Sequence, residues 1–579
     1  MSTPAVTAQD DADVTKPCSR SIVLADQDLL AIVFTNILPN DPADLPRCEI
    51  VQGRKQLRDA ALTCKSFKDP ALDRLWMSLD SLLPLIKTLP NVIVIDGVHY
   101  PQGPFPQDCS FRRHAHNLRT LSLGLSSPEQ ADPDDKISPS LYFLISKNLR
   151  GEMAFPNLRR IVVHPPSNPS NDIHFTARLP FALSSSVKTA VFVGGGLHRG
   201  LFSDFCLPLV RQQLGFLRHL SLQSQETQTV PPNLLGGVFQ INTLESLGLH
   251  FPNADVSLER IISRRRGVVL HRLQSLSLDV HTSLPLERTS LNDLLSHPDL
   301  FPNLTDLSVV SCIGSRVCLC VPPTLFTRMT SLTLNLRTDI SFDTFFQELL
   351  EVAVKVPTLK KLTLEEKGSN IRVRVAAAIL RLLELPIEEL HVNLSSIYWP
   401  YSPLTRQFFP SSPCVRDLLS GSSTIRLMTL PPIPEEDSFT LQYLSDLAHS
   451  SALESLAVGL VSRTEHKLRL FGGGTLTRGD FSTISALLQH WKTDEPPSRS
   501  RLRHLAISEH KPLSEFNTQQ YNDLAQLLDL MFPHLESITP YRDADRDSPY
   551  WKDAWWFIEH LRKMYKRIRV LETLVKARK

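Results

Sequence analysis

The segment Leu217-Arg-His-Leu220-Ser-Leu222 contains the pattern that decides the fold: an apolar residue, two others, an apolar residue, one other and a third apolar residue. Clear copies begin at Leu118, Leu158, Leu217, Leu244, Leu273, Leu304, Leu359, Ile387, Leu453 and Leu502. Looser copies begin at Val187, Met329, Ile425 and Leu535, which makes fourteen starts in all. So persistent a repeat indicates a stack of similar units rather than one closed core, and such stacks mostly bind other macromolecules.

The spacing of the copies identifies the kind of stack. From Leu158 to Ile387 successive starts lie 25 to 31 residues apart, which leaves room for a helix between strands. The intervening segments 373–383 and 521–531 place apolar residues at helical spacing. In a leucine-rich repeat the pattern forms a short strand whose apolar residues point into the core. The sequence therefore predicts an α/β fold: a leucine-rich-repeat solenoid with a curved parallel sheet and helices on its convex side.

Residues between the apolar positions should face solvent on the concave side of the sheet. Strands about 4.8 Å apart would give fourteen of them an inner surface roughly 60 Å long, which suits a protein segment better than a metabolite. The alternative is that each such residue is an ordinary solvated strand position. The predicted target-binding residues are Arg160, His219, Gln223, His250, Asp279, Asp306, Lys361, Glu365, Glu389 and His391.

Composition argues against several other classes of protein. The 579 residues include 62 Lys and Arg against 60 Asp and Glu, a formal charge of +2, which gives no sign of a nucleic-acid or membrane partner. No apolar run approaches the roughly 20 residues that a bilayer requires, and the opening residues lack a secretory signal. Nine cysteines without regular spacing suit a reducing compartment. We expect a cytoplasmic or nuclear protein.

No motif predicts bond-making chemistry. Gly194-Gly195-Gly196 follows an apolar run but lacks the Lys-Ser/Thr of a phosphate-binding loop. Cys312, Cys318 and Cys320 do not have the spacing of a zinc site. We therefore expect no catalytic residues, no cofactor and no metal, and predict that the chain is not an enzyme.

A different pattern precedes the repeats. Apolar residues at helical spacing run from Leu29 to Leu38, with Asp26 or Asp28 placed to start the helix. A second helical segment spans 57–67, and in the third Pro70 suits a first helical turn. These apolar residues are more numerous than three short helices can bury among themselves, so some of them should contact a partner. Alternatively, they cap the open end of the solenoid.

The segment 29–76 resembles an F-box, most specifically in Leu62-Thr-Cys-Lys-Ser-Phe-Lys-Asp-Pro-Ala-Leu-Asp-Arg-Leu-Trp76. The continuation 78–90 resembles the segment that joins an F-box to leucine-rich repeats in the F-box/leucine-rich-repeat proteins expanded in fungi. The resemblance implies docking on the adaptor Skp1 and, through it, on a cullin-RING (SCF) ubiquitin ligase. The residues expected to bind Skp1 are Leu29, Leu30, Val33, Phe34, Leu62, Phe67, Leu75 and Trp76.

These patterns predict a modular chain. A disordered tail (1–21) would precede an F-box-like helical domain (22–77), a linker or capping segment (78–110), the solenoid with loop insertions (111–545) and a basic capping helix (546–579). The predicted function is that of a substrate receptor, a monomer within a hetero-complex, which presents an unknown protein target for ubiquitin-dependent degradation. The alternative is a leucine-rich-repeat scaffold or inhibitor with no ubiquitin-ligase role.

Overall fold

The computed structural model describes most of the first half of the chain and selected segments of the second. The described residues are 26–39, 47–106, 110–124, 132–255, 270–281, 301–311, 328–336, 358–366, 387–393, 424–430, 439–440, 444–445, 447–449, 452–461, 484–493, 498–509, 517–541 and 554–578. The chain forms two compact units: Met1–Glu226 with Asn233–Thr243, and Thr227–Pro232 with Leu244–Lys579.

The first unit begins with three helices, α1 (Gln27–Ile37), α2 (Arg47–Thr63) and α3 (Lys65–Trp76). The carboxylate of Asp26 caps α1 by accepting hydrogen bonds from the backbone amides of Asp28 and Leu29, at 3.0 and 3.2 Å. One face of each helix meets the others in a small apolar core. Its buried members are Leu30, Phe34, Leu38, Leu57 and Ala71.

A short connecting region follows these helices. It contains β1 (Ser78–Leu79), α4 (Leu83–Ile86), the antiparallel hairpin β2 (Val92–Ile95) and β3 (Val98–Pro101), and α5 (Ser110–Asn117). Asp96 and Gly97 both have positive φ, of 50° and 80°, as the tight turn between β2 and β3 requires. Strand β1 pairs in parallel with the first repeat strand, so this region joins the helices to the sheet.

Four repeat strands complete the sheet of the first unit: β4 (Thr120–Leu123), β5 (Arg160–Val163), β6 (Thr189–Val193) and β7 (His219–Gln223). All pair in parallel and in register, so that Thr120, Arg160, Thr189 and His219 form one row. Helices alternate with these strands, as parallel connections require. They are α6 (Pro139–Asn148), α7 (Asp172–Ala182), α8 (Leu207–Gln213) and α9 (Pro232–Val238).

The second unit continues the same pattern. Its strands are β8 (Ser246–Asp255), β9 (Ser275–His281), β10 (Asp306–Ser311), β11 (Ser331–Leu336), β12 (Lys361–Glu366), β13 (Glu389–Asn393), β14 (Leu427–Thr429), β15 (Phe439–Thr440), β16 (Ser455–Val461), β17 (His504–Glu509) and β18 (Ser537–Pro540). Neighbours pair in parallel from β8 to β14, then through β16 to β18, and β15 adds to β16. The helices are α10 (Ile484–Thr493), α11 (Thr518–Met531) and α12 (Trp556–Arg578).

The fourteen predicted starts explain this architecture. Each is followed, two residues later, by one of the parallel strands, and each starting residue is at most 2% exposed. The leucines that recur within the strands are buried as well, and burial of one such side chain contributes roughly 1.5–3 kcal/mol. The chain is a leucine-rich-repeat solenoid preceded by a helical module. The predicted fold class is confirmed.

Some sequence predictions concern residues outside this description. The cysteines at 312, 318 and 320 and the predicted helix at 373–383 lie outside the described residues, as does the tail 1–21. The predicted helix at 521–531 forms most of α11. The domain boundaries stay predictions. Within the described ranges, no helix is both long and apolar enough to cross a bilayer.

Candidate functional site

The helical module presents an apolar surface on α1 and α2. Leu29 and Val33 project outward from α1, and Leu62 at the end of α2 is 80% exposed. Ile32 of α1 and Val51 of α2 are exposed too, although the sequence analysis did not include them among the binding residues. Their signal was present, because Ile32 lies three residues from Leu29 on the same helical face. We call these five residues the module surface.

Leu30 and Phe34 lie on the opposite face of α1, inside the module. The side chain of Phe34 is only 3% exposed, and its ring meets that of Phe67 edge to face with centroids 5.7 Å apart. These two α1 residues were predicted to bind Skp1, yet the structure places them in the core. Phe67 and Leu75 are partly buried and pack against that same core. Of the eight predicted binding residues, Leu29, Val33 and Leu62 are thus the exposed ones.

Trp76 at the end of α3 has a partner within the chain. Its ring stacks on that of His114 in α5, with centroids 4.2 Å apart and planes 19° from parallel. Burial and the charge of Arg113 lower the pKa of His114, despite the raising effect of Asp73. The buried indole nitrogen of Trp76 has no hydrogen-bond partner. Trp76 therefore joins the helical module to the connecting region, as the capping alternative expects.

Arg74 is a structural residue that the sequence analysis missed. Its buried guanidinium donates hydrogen bonds through Nε and Nη2 to the backbone carbonyl oxygen of Leu38, just after α1. The contact satisfies a carbonyl group that the end of a helix leaves without an intrahelical partner. It also fixes α3 against α1.

The strand face of the first unit carries three of the predicted target-binding residues. Arg160 is half-buried and His219 is exposed, and both belong to the row that includes Thr189. Gln223, at the end of β7, donates from Nε2 to the Oγ of Ser221, 3.0 Å away. These residues share one face of the sheet.

The strand face of the second unit has a tighter polar group, on β12 and β13. Lys361 Nζ lies 3.1 Å from Oε2 of Glu389, and the same carboxylate oxygen lies 3.6 Å from Nε2 of His391. Partial burial alone would raise the pKa of Glu389, but Lys361 and His391 outweigh it and hold that pKa below its ordinary value. Glu365 follows on β12. We call Lys361, Glu365, Glu389 and His391 the charged cluster.

Neighbouring strands determine the protonation state of His391. Burial and the positive charge of Lys361 lower its pKa, more than Glu389 and Glu365 raise it. Its Nδ1 lies 3.1 Å from the Oγ1 of Thr429 on β14. The imidazole is therefore neutral at pH 7, and the cluster presents one cationic and two anionic side chains.

Two buried polar atoms lie beside this cluster. Thr363 lies in register between Thr333 and His391, and its Oγ1 has no hydrogen-bond partner. Asn335, in register with Glu365, donates from Nδ2 to the Oγ of Ser308 at 3.2 Å, while its Oδ1 has no partner. Unsatisfied buried polar groups are rare in folded proteins. Sequence alone gave no reason to single out these two residues.

The remaining predicted residues lie on the first strands of the second unit. Asp306 starts β10, in register with Ser275 and Ser331. His250 and Asp279 are register partners on β8 and β9, and Asp279 is buried. Burial removes Asp279 from the surface that a target could contact.

The described part of the chain contains no accessible activated nucleophile and no cluster of metal-binding side chains. The Oγ of Ser224 lies 2.9 Å from Nε2 of His198, but Ser224 is only 2% exposed, so a substrate could not reach it. Burial raises the pKa of the Cys206 thiol to about 12, which leaves it protonated. Among the described residues no group of three His, Cys, Asp or Glu side chains could hold a metal ion.

No protein-family model and no curated protein matches the sequence. A Bacteroides fragilis protein solved as a structural-genomics target is similar over 39% of this chain and 64% of its own, with 15% identity and a TM-score of 0.24. The structure of TLR13 with ssRNA13 is similar over 74% of this chain and 52% of its own, with 13% identity and a TM-score of 0.29. The chain spans less than two thirds of either protein. The fold assignment therefore rests on the strands and their buried leucines.

Proposed function

We propose that the chain is an F-box-type substrate receptor: the helical module docks on a Skp1-type adaptor, and the repeat strands hold a protein target. The observation that carries the proposal is the module surface, where aliphatic side chains remain exposed on α1 and α2. Exposed large aliphatic side chains in such number on a small module are typical of a surface that contacts another protein. The choice of a Skp1-type adaptor as the partner rests on the resemblance of segment 29–76 to an F-box.

The target would bind the strand face. The charged cluster offers a cation and two carboxylates on neighbouring strands. Such a surface matches a polypeptide that carries both positive and negative charges. The chain itself performs no bond chemistry in this proposal. It raises the concentration of target lysines near ubiquitin held by the ligase.

Binding of the full-length chain to purified Skp1 tests the docking step. The informative variant replaces Leu29, Val33 and Leu62 with Ala, and a matched control replaces Phe143, Ile173 and Phe216, which are exposed elsewhere in the same unit. We expect the first variant to weaken binding by about 100-fold, since each central interface anchor contributes on the order of 1 kcal/mol or more. The control should bind like the wild type.

A scaffold or inhibitor without a ligase role is the second candidate. Leu30, Phe34 and Trp76 favour it, because these three predicted docking residues pack against other residues of the chain instead. The two functions differ in the same experiment. If the wild-type chain fails to bind Skp1, or the two triple variants bind it equally well, the receptor proposal is refuted and the scaffold is favoured.

A further inference from the structure

The last helix, α12, is anchored to the second unit through residues up to Arg569, and residues 570–576 are all exposed. The buried guanidinium of Arg562 donates from Nη1 to the carbonyl oxygen of Leu535 at 2.8 Å and pairs with Glu559 at 2.9 Å. Arg569 pairs with Asp529 of α11 at 2.9 Å. These contacts fix the rotation of the helix about its axis, and with it the residues that face away from the unit.

The outward face carries a regular apolar stripe. Met564, Ile568, Leu571 and Val575 are all exposed, and successive members are four, three and four residues apart. Exposed Leu574 widens the stripe at its end. Alternating steps of three and four define the a and d positions of a coiled coil. The stripe is thus a seam for a second helix.

The residue types at these positions favour one kind of partner. Ile568 and Val575 occupy a positions and Leu571 a d position, and β-branched residues at a with Leu at d favour two parallel strands. Arg567 precedes an a position and so lies at g, while Glu572 follows a d position and lies at e. In a parallel pair, a g residue meets the e residue five positions later in the partner. In a parallel dimer, Arg567 of each copy therefore lies opposite Glu572 of the other copy, which gives two pairs of opposite charge.

We propose that a second copy of this chain packs on the stripe, so that two α12 helices form a short parallel coiled coil over residues 564–575. An antiparallel pair would set g against g and e against e, and would not match Arg567 with Glu572. The sequence analysis expected one copy in each complex, and the helix face indicates two. This inference does not depend on the adaptor or on the ligase.

Charge distinguishes this partner from an anionic membrane surface. The sequence between His560 and Lys579 has a net charge of +7, but the fold uses much of it locally. Arg562 and Lys563 pair with Glu559, and Arg569 pairs with Asp529. Glu572 moreover lies beside the stripe, where a lipid headgroup would be repelled. In a second copy of the helix, Arg567 would pair with that carboxylate.

Sedimentation equilibrium of the full-length chain without Skp1 tests the proposal. We expect a reversible dimer that Leu571→Asp weakens by at least about tenfold in Kd. Val570→Asp is the matched control: Val570 is 52% exposed against 60% for Leu571 and adjoins it, but it lies outside the a and d positions. The control should dimerise like the wild type. Both sites are exposed, so circular dichroism should show both variants folded.

A charge exchange tests the parallel register. Arg567→Glu and Glu572→Arg should each weaken the dimer, and the double variant should restore it. The proposal is overturned if the wild-type chain stays monomeric at roughly 100 μM, if Val570→Asp is as damaging as Leu571→Asp, or if the double variant fails to recover. Co-sedimentation of a monomeric chain with vesicles of phosphatidylserine, lost in Leu571→Asp, would assign the stripe to a membrane instead and overturn it equally.

Discussion

The guanidinium of Arg178 in α7 lies 2.7 Å from a carboxylate oxygen of Asp132 and 3.3 Å from the buried carboxylate of Asp134. The other oxygen of Asp134 accepts hydrogen bonds from the Ser81 hydroxyl at 2.6 Å and the Leu82 amide at 2.8 Å. One buried ion pair thus joins the connecting region to the first repeats. It links Ser81 and Leu82 of the connecting region to α7.

Removal of the cation should be costly. In Arg178→Met the Asp134 carboxylate would stay buried without its partner, and breaking a buried pair on one side typically costs about 3–5 kcal/mol. We expect the free energy of unfolding in urea to fall by that order. Arg112→Met is the control, because its pair with Glu152 is exposed and should contribute at most about 1 kcal/mol. Equal effects of the two variants would contradict the role assigned to the buried pair.

The same carboxyl group predicts a pH dependence. Burial, the largest influence, raises the pKa of Asp134 above its ordinary 3.8, even though Arg178 and the bond from Ser81 act to lower it. A carboxyl that binds its proton more tightly in the folded chain stabilises the fold below the unfolded pKa, and this contribution is lost as pH rises through the folded pKa. The difference in free energy of unfolding between the wild type and Asp134→Asn should therefore be largest near about pH 4 and should shrink toward about pH 7. A margin that grows with pH would refute the assignment.

The two faces of α1 should respond differently to substitution. Phe34→Ala would open a cavity in the core of the module and should cost about 3–5 kcal/mol in module stability. Leu29→Ala removes an exposed side chain and should change stability by less than about 0.5 kcal/mol while it weakens Skp1 binding. Proteolysis of the module and Skp1 titration measure the two effects. If Leu29→Ala unfolds the module, the exposed face has been misassigned.

The charged cluster should matter for target capture and little for stability. A half-exposed ion pair at a strand surface, such as Lys361 with Glu389, contributes about 0–1 kcal/mol, so Lys361→Ala should unfold almost like the wild type. Leu362→Asp, one residue along β12, places a charge in the core and should unfold the neighbouring repeats. Affinity capture from cell extract should lose the same proteins in Lys361→Ala and Glu389→Gln. Capture unchanged in both would place the target elsewhere.

The repeat strands could be predicted because their signal is local. Six residues specify each strand, and the start residue is buried wherever the strand stacks on its neighbours, as at Leu217 and Leu359. The orientation of α1 could not be predicted in the same way. Leu29 and Leu30 are both leucines at helical spacing, and only the packing of α1 against α2 and α3 decides which of them faces inward.

Polar contacts between residues far apart in the sequence also could not be predicted. Asp134 meets Ser81 across 53 residues of sequence, and Arg178 meets Asp132 across 46. No periodicity links such positions, so their partnership emerges only when the strands have stacked. Asp279 shows the converse: its place in the pattern predicts exposure, yet the structure buries it.

Hydrogen–deuterium exchange of the full-length chain, with and without purified Skp1, tests the central claim most directly. Amides in the first turns of α1 and at the end of α2, around Leu29, Val33 and Leu62, should become protected, while exchange on the charged-cluster strands β12 and β13 stays unchanged. Protection confined to the repeat strands, or no change anywhere at saturating Skp1, would contradict the account of the helical module as the docking element.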